Sequence, residues 1–256
     1  MATTPPQGWG AILHRNVPHF ERLSRVDRTE LLGKMQVFLA EKKFEGCKGF
    51  EVTEEVRVTI AAQACVLLLH RETDFFPDLE TILVYPQAYV APSRRVGPDG
   101  VVIEGPEARQ GESWSHGVVV LSWHDVRHGA ADINDGHNLV FHEFAHQLDS
   151  EYGDGDGAPA LPRRSMYIAW ARVLGQEFAE LTEDVAQHRR SLIDAYGATN
   201  PAEFFAVVTE VFFEKPRQLR RQHPALYAQL QAFYLQDPAA LPGATTSAEG
   251  EVDQPA

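Results

Sequence analysis

The most constraining stretch of the chain is residues 136–152, GHNLVFHEFAHQLDSEY, which carries H-E-x-x-H as His142-Glu143-Phe144-Ala145-His146. This pattern does chemistry only on a helix, where residues four apart share a face one turn apart. Two imidazoles so placed can grip one zinc ion. Glu143 lies on the i,i+3 diagonal to His146, so its carboxylate can stand beside the ion without ligating it. That is where a general base for an activated water belongs. Val140, Phe144 and Leu148 recur at helical spacing, which predicts a core-facing stripe with the histidines at its edge. Asn134 or Asp135 is the expected cap and Gly153 the expected stop. The competing reading is a pair of structural histidines.

Bulk properties narrow the function classes. The formal net charge is -13, which disfavours a nucleic-acid or anionic-membrane surface. No direct nucleic-acid or membrane partner is therefore expected. The apolar run around Cys65 is interrupted by Gln63 and is too short to span a bilayer. Two cysteines, Cys47 and Cys65, suit a reducing compartment. The opening MATTPPQGWG lacks the basic and apolar regions of a secretory leader. A cytoplasmic location is expected.

Along the chain, Asp27 is read as the cap of a helix to about Lys43, and Thr53 as the cap of a second to about Leu69. Thr81–Tyr85 reads as a strand, and 92–110 as a long Gly/Pro-rich loop with a hairpin at Pro98-Asp99-Gly100. Gly117–Trp123 is the strongest strand. It is either a sheet edge bordering a cleft, where an extended peptide could pair, or an ordinary buried strand. His124 and His128 fall in an expected loop and are read as non-ligands; His137 is read as a surface residue. Residues 152–162 form an expected mobile linker. Arg163–His188 is a predicted helix with Ile168, Ala171, Leu174, Phe178 and Leu181 inward. Pro216 opens a last helix to about Tyr234. The expected division is a flexible 1–18, one metallopeptidase domain over 19–238 and a disordered tail 239–256. Within the domain, a helical and sheet part runs to about 133 and a catalytic helical part follows.

The second informative stretch is NPAEFFAVVTEVFF, residues 200–213. Asn200 is an N-cap candidate with Pro201 at the first helical position. Glu203 is then either a capping-box residue or the third zinc ligand that a catalytic site requires. Glu210, two turns on, is the rival. Two acids on one face of an apolar helix need charged partners. The favoured assignment makes Glu203 the ligand and Glu210 the residue that orients a ligand histidine. Asp149, three residues after His146, either fixes an imidazole or a neighbouring side chain, or is a solvated helix-end acid.

VFHEFAHQLD, IDAYGATNPAEFFAVVTEVFF and FYLQDP, with ILVYP and QGESWSHGVVVLSW upstream, resemble the Mlc titration factor A family over roughly residues 20–238. The resemblance implies a gluzincin-type metallopeptidase similar to the catalytic domain of anthrax lethal factor. It implies aminopeptidase-like activity on a peptide or small amino-acid-derived substrate. By that likeness His142, His146 and Glu203 hold one Zn²⁺ per chain, Glu143 is the catalytic glutamate, and Tyr196 faces the cleft, from where it could donate a hydrogen bond to the oxyanion. Some members bind a transcriptional repressor, Mlc. Ile103 stands where some relatives carry a further histidine. The expected fold is α+β: a mostly helical, zincin-like metallopeptidase with a small mixed sheet beside the H-E-x-x-H helix. The alternative function is a non-catalytic protein that titrates a repressor and keeps a structural zinc site.

Overall fold

The computed structural model describes residues 5–72, 74–96, 102–109, 111–114, 117–151, 155–161 and 163–242; within 89–114 only the strand backbone is described. In chain order these are α1 (Trp9–Asn16), α2 (Pro18–Arg22), α3 (Arg25–Glu41), β1 (Lys43–Gly46), α4 (Glu54–Val66), β2 (Thr81–Tyr85), β3 (Tyr89–Val96), β4 (Val102–Arg109), β5 (Gly111–Trp114), β6 (Val118–Ser122), α5 (Trp123–Ala131), α6 (Leu139–Ser150), α7 (Met166–Ala186), α8 (Pro201–Glu214), α9 (Pro216–Gln222) and α10 (Pro224–Tyr234). The protein is mostly helical with a small mixed sheet, as an α+β reading requires. No helix among the described residues is long and apolar enough to cross a membrane.

The sheet order is β1-β2-β6-β5. β1, β2 and β6 run parallel, with Lys43 opposite Thr81 and Thr81 opposite Val118. β5 runs antiparallel to β6, with Ser113 opposite Val119. Parallel neighbours need a crossover, and α4 lies in the one between β1 and β2. Alternation along β2 and β6 buries Ile82, Val84, Val119 and Leu121 in the main core. Val118 and Val120 pack with Leu83 and Tyr85 in a separate small cluster. β6 is therefore an inner strand, and β5 takes the edge. The strand with the strongest apolar signal is paired on both sides, as is β2.

Several expectations are corrected. Residues 9–18 are not loose: Trp9 and Leu13 are buried in the core, and Trp9 Nε1 donates to Glu54 Oε1 at 3.1 Å. Pro and Gly in the first ten residues hid the amphipathic start of α1. Ser24, not Asp27, caps α3, accepting from Asp27 N. Thr53 caps α4 as read, but the helix ends at Val66 and 67–70 continue as turns. Much of 92–110 is not loop but the paired strands β3 and β4, in register from Tyr89–Arg109 to Val96–Val102, with Ile103 opposite Arg95. The expected turn at 98–100 lies outside the described residues. His124 and His128 sit on α5 rather than in a loop, because Ser122 caps that helix by accepting from Asp125 N.

On α7, Ile168 is 81% exposed. Leu174 and Leu181 of the expected stripe are buried and Phe178 packs against the core, with Trp170 and Val173 buried beside them, so only the start of the stripe departs from the expected one. The last helical stretch breaks at Pro224, which cannot donate a backbone hydrogen bond, giving α9 and α10. Residue 239, expected in a loose tail, is buried; residues 243–256 lie outside the description. One apolar cluster runs from Trp9 to Ala239. Aromatic contacts fix α6 within it: Phe144 meets Phe76 edge-on at 4.8 Å between ring centroids, and Phe141 meets Phe213 of α8 in a tilted arrangement at 5.1 Å. Such contacts contribute about 0.5–1.5 kcal/mol each beyond their buried area.

Candidate metal centre

Asn138, rather than Asn134 or Asp135, caps α6: its Oδ1 accepts from Phe141 N at 3.0 Å. The helix starts later than expected because 132–137 form turns bonded through Asp132 and Asp135. Its expected stop, Gly153, lies outside the described residues. Helical pitch then brings His142 and His146 together with ring centroids 4.9 Å apart at 79°. On α8, Asn200 caps as read, accepting from Glu203 N at 2.9 Å. The Glu203 side chain leaves that cap and reaches across to α6.

Three atoms converge. His142 Nε2 lies 3.1 Å from Glu203 Oε2, His146 Nε2 lies 3.3 Å from the same oxygen, and the two Nε2 atoms are 3.3 Å apart. A tetrahedral zinc with ligand bonds of about 2.0–2.1 Å has ligand–ligand edges of about 3.3 Å. The triangle therefore fits such an ion in both size and chemistry: two imidazole nitrogens and one carboxylate oxygen. These three residues form one of two groups among the described residues that could hold a metal. The other, Asp27, Glu30 and His70, is more exposed, and Lys34 Nζ, 3.4 Å from Glu30 Oε1, already offsets its charge.

The remaining acids are sorted by what they touch. Glu210 Oε1 lies 2.8 Å from His142 Nδ1. A proton on Nδ1 donated to that carboxylate leaves the Nε2 lone pair for a metal. Glu203 and Glu210 thus meet opposite nitrogens of one imidazole from the same helix. Glu143 is buried, and its Oε2 has no hydrogen-bond partner. Burial raises its pKa to about 7, against the attraction of His142 and His146. An orphaned carboxylate with that affinity for protons is placed to exchange one near neutral pH. Burial would lower the His142 pKa, but hydrogen bonds to Glu203 and Glu210 outweigh it and hold the ring well above its ordinary value. For Glu203 the two histidines overcome burial and depress the carboxyl. Tyr196, in the 3-10 turn Ala195–Ala198, is half exposed with its ring centroid 6.0 Å from that of His142.

Asp149 is not a solvated helix-end acid. It is 1% exposed, and its Oδ2 accepts from Gly157 N at 2.8 Å. Trp170 Nε1 donates to Gly157 O at 3.0 Å. Gly157 has φ +82, and a Cβ there would lie 2.4 Å from Pro201 O. Part of the expected mobile linker is therefore clamped between α6, α7 and the first turn of α8, two residues from Glu203. Among the described residues no hydrogen bond or ion pair joins Asp149 to an imidazole, although the His146 charge acts on it.

Burial raises the Asp149 pKa from 3.8 to about 6, against the Gly157 hydrogen bond. The raised value sets the sign. Asp149 contributes most below its unfolded value, and that contribution is lost as pH rises from about 4 through 6. In metal-free protein, Asp149→Asn should therefore gain stability relative to wild type by on the order of 2 kcal/mol between pH 4 and 7.5. Urea unfolding at both pH values measures it; a pH-independent difference would refute the assignment.

His124 and His128 stack at 6.3 Å on α5, with His124 Nδ1 3.0 Å from Asp125 Oδ1. Among the described residues they join no candidate metal group, and His137 is exposed. The sequence reading missed Asn138 and Gly157. Asn138 had a signal in H-N-L-V, an N-cap type before the apolar stripe; Gly157 had none beyond its place in a Gly-rich run.

Two imidazoles and a carboxylate around one point, with a spare buried acid alongside, make the donor set of a metal-dependent hydrolase. The chain belongs to the family described as Glucose-regulated metallo-peptidase M90, whose sequence model matches residues 1–235. An uncharacterized protein of Synechocystis sp. is 44% identical over 235 residues, 91% of this chain and 85% of that protein. Mlc titration factor A of Escherichia fergusonii is 32% identical over 225 residues, 87% of this chain and 84% of that protein. The Klebsiella pneumoniae protein of the same name is 32% identical over 227 residues, 88% and 84% of the two chains.

Proposed function

We propose that the chain is a zinc-dependent, aminopeptidase-like peptidase of the zincin type, with His142, His146 and Glu203 as metal ligands and Glu143 as general base. The observation that carries this is the 3.1–3.3 Å triangle of His142 Nε2, His146 Nε2 and Glu203 Oε2 beside the unpartnered Glu143 Oε2. Zinc held there would act as a Lewis acid toward water and the substrate carbonyl. Glu143 takes the proton of the attacking water and returns it to the leaving amine. Glu210 keeps His142 in its ligating tautomer. Tyr196 donates a hydrogen bond to the oxyanion as charge develops on the carbonyl oxygen. The edge strand β5, which packs beside α6, offers backbone groups to an extended peptide. Hydrolysis of amino-acid anilides should fall to background with a chelator and return with added Zn²⁺. Turnover that survives full metal removal would end this reading.

A second reading rests on the relatives named Mlc titration factor A: sequestration of a transcriptional repressor in the cytoplasm. The acidic net charge suits the basic surface of a DNA-binding partner. Capture of such a repressor that persists in Glu143→Gln would establish binding independent of turnover, and absence of capture by wild type would remove it.

A further inference from the structure

We propose that Asn138 and Glu214 are positioning residues for the metal centre: they hold the Glu210 carboxylate, and through it the His142 imidazole, in its ligating orientation. The inference rests on His142 being a ligand. Every polar group of Asn138 is committed. Its backbone N donates to Glu210 Oε2 at 2.5 Å, its backbone O accepts from His142 N at 2.9 Å, and its Oδ1 caps α6. Its Nδ2 donates to Gln63 Oε1 of α4 at 2.9 Å and to Glu214 Oε1 at 3.2 Å. Glu214 Oε2 in turn accepts from Gly136 N at 3.1 Å. Gln63, Asn138 and Glu214 are each 1% exposed.

Glu210 and Glu214 are one turn apart on α8. Together they stitch the run 136–142 onto that helix: Glu214 grips residues 136 and 138, and Glu210 grips 138 and 142. A glutamate has three side-chain torsions, so one bond to Nδ1 would leave the Glu210 carboxylate free to turn. Its second oxygen, taken by the Asn138 backbone N, removes that freedom. Asn138 N points there because Glu214 and Gln63 hold the Asn138 side chain. Burying a fourth acid is costly if only packing is served, and an apolar residue would fill the same volume at lower cost. Burial drives the Glu214 pKa well above the usual carboxylate range despite the Asn138 hydrogen bond.

The test is Co²⁺ binding, read by the visible absorption of the bound ion and by competition with a chromophoric chelator. Glu214→Ala should weaken Co²⁺ binding about 10-fold and shift the absorption envelope, with unchanged far-UV dichroism. Glu214→Gln keeps only one of the two acceptor oxygens and should fall between wild type and Glu214→Ala in both affinity and spectrum. Gln63→Met removes only the other acceptor of Asn138 Nδ2 and should shift the spectrum in the same sense by less; it serves if Glu214→Ala does not fold. Wild-type affinity and spectrum in folded Glu214→Ala, or in Gln63→Met where it stands in, overturn the inference. Failure of wild type itself to bind Co²⁺ overturns instead the metal-site reading on which it stands.

Discussion

Glu143→Gln is expected to keep one zinc per chain and to lower peptide turnover by about 10³-fold. Glutamine has the shape of glutamate but cannot accept the proton of the attacking water. Glu143 makes none of the three contacts that define the ligand triangle, so metal content should not follow activity. Its Oε2 has no hydrogen-bond partner, so the amide leaves no former donor unsatisfied, and folding should be unaffected. Metal analysis beside anilide turnover checks both halves. A variant with full turnover would eliminate Glu143 as base; one that also loses zinc would move it into the ligand set.

Glu203→Ala should lose zinc more severely than Glu210→Ala. Glu203 supplies one corner of the triangle, and without it two imidazoles remain, too few for a catalytic zinc. Glu210 reaches the centre only through His142 Nδ1 at 2.8 Å. Removing such an orienting partner typically weakens metal affinity about 10–100-fold. Competition with a calibrated chelator ranks the two. If Glu210→Ala loses more, the assignments exchange, because both acids sit on the same face of α8 and both reach the same imidazole. The ranking tests the geometry more sharply than either loss alone.

A good part of the site was legible in one dimension. H-E-x-x-H on an apolar stripe predicts a helix with two imidazoles on one face, because 3.6 residues per turn leaves little else for that spacing. N-P-A-E predicts a capped helix start, and Asn200 caps α8 as read. The strand over 81–85 and the one near 118–122 were legible from β-branched runs. The edges of elements were less so. Asn134, Asp135 and Asn138 are all cap types, and only the turns over 132–137 decide among them. The hairpin of β3 and β4 was obscured by Gly and Pro, whose local signal is loop, although strand pairing overrides it from Tyr89 to Arg109.

By itself, then, the sequence determined the local geometry: which helix presents the histidines, which helix carries two acids a pair of turns apart, and that these acids must find partners. Tertiary packing decided which acid meets which nitrogen. Glu203 and Glu210 are indistinguishable by periodicity, and only the crossing of α8 over α6 sends one to Nε2 and the other to Nδ1. Packing also decided that Asp149 and Gly157 form a clamp beside Pro201, and that β5 rather than β6 forms the open edge. The reason is one of range. Helix pitch and capping are set within four residues, whereas the contacts at His142 join residues 61 and 68 apart, the clamp joins residues 8 and 44 apart, and the sheet edge depends on strand order, none of which local spacing encodes.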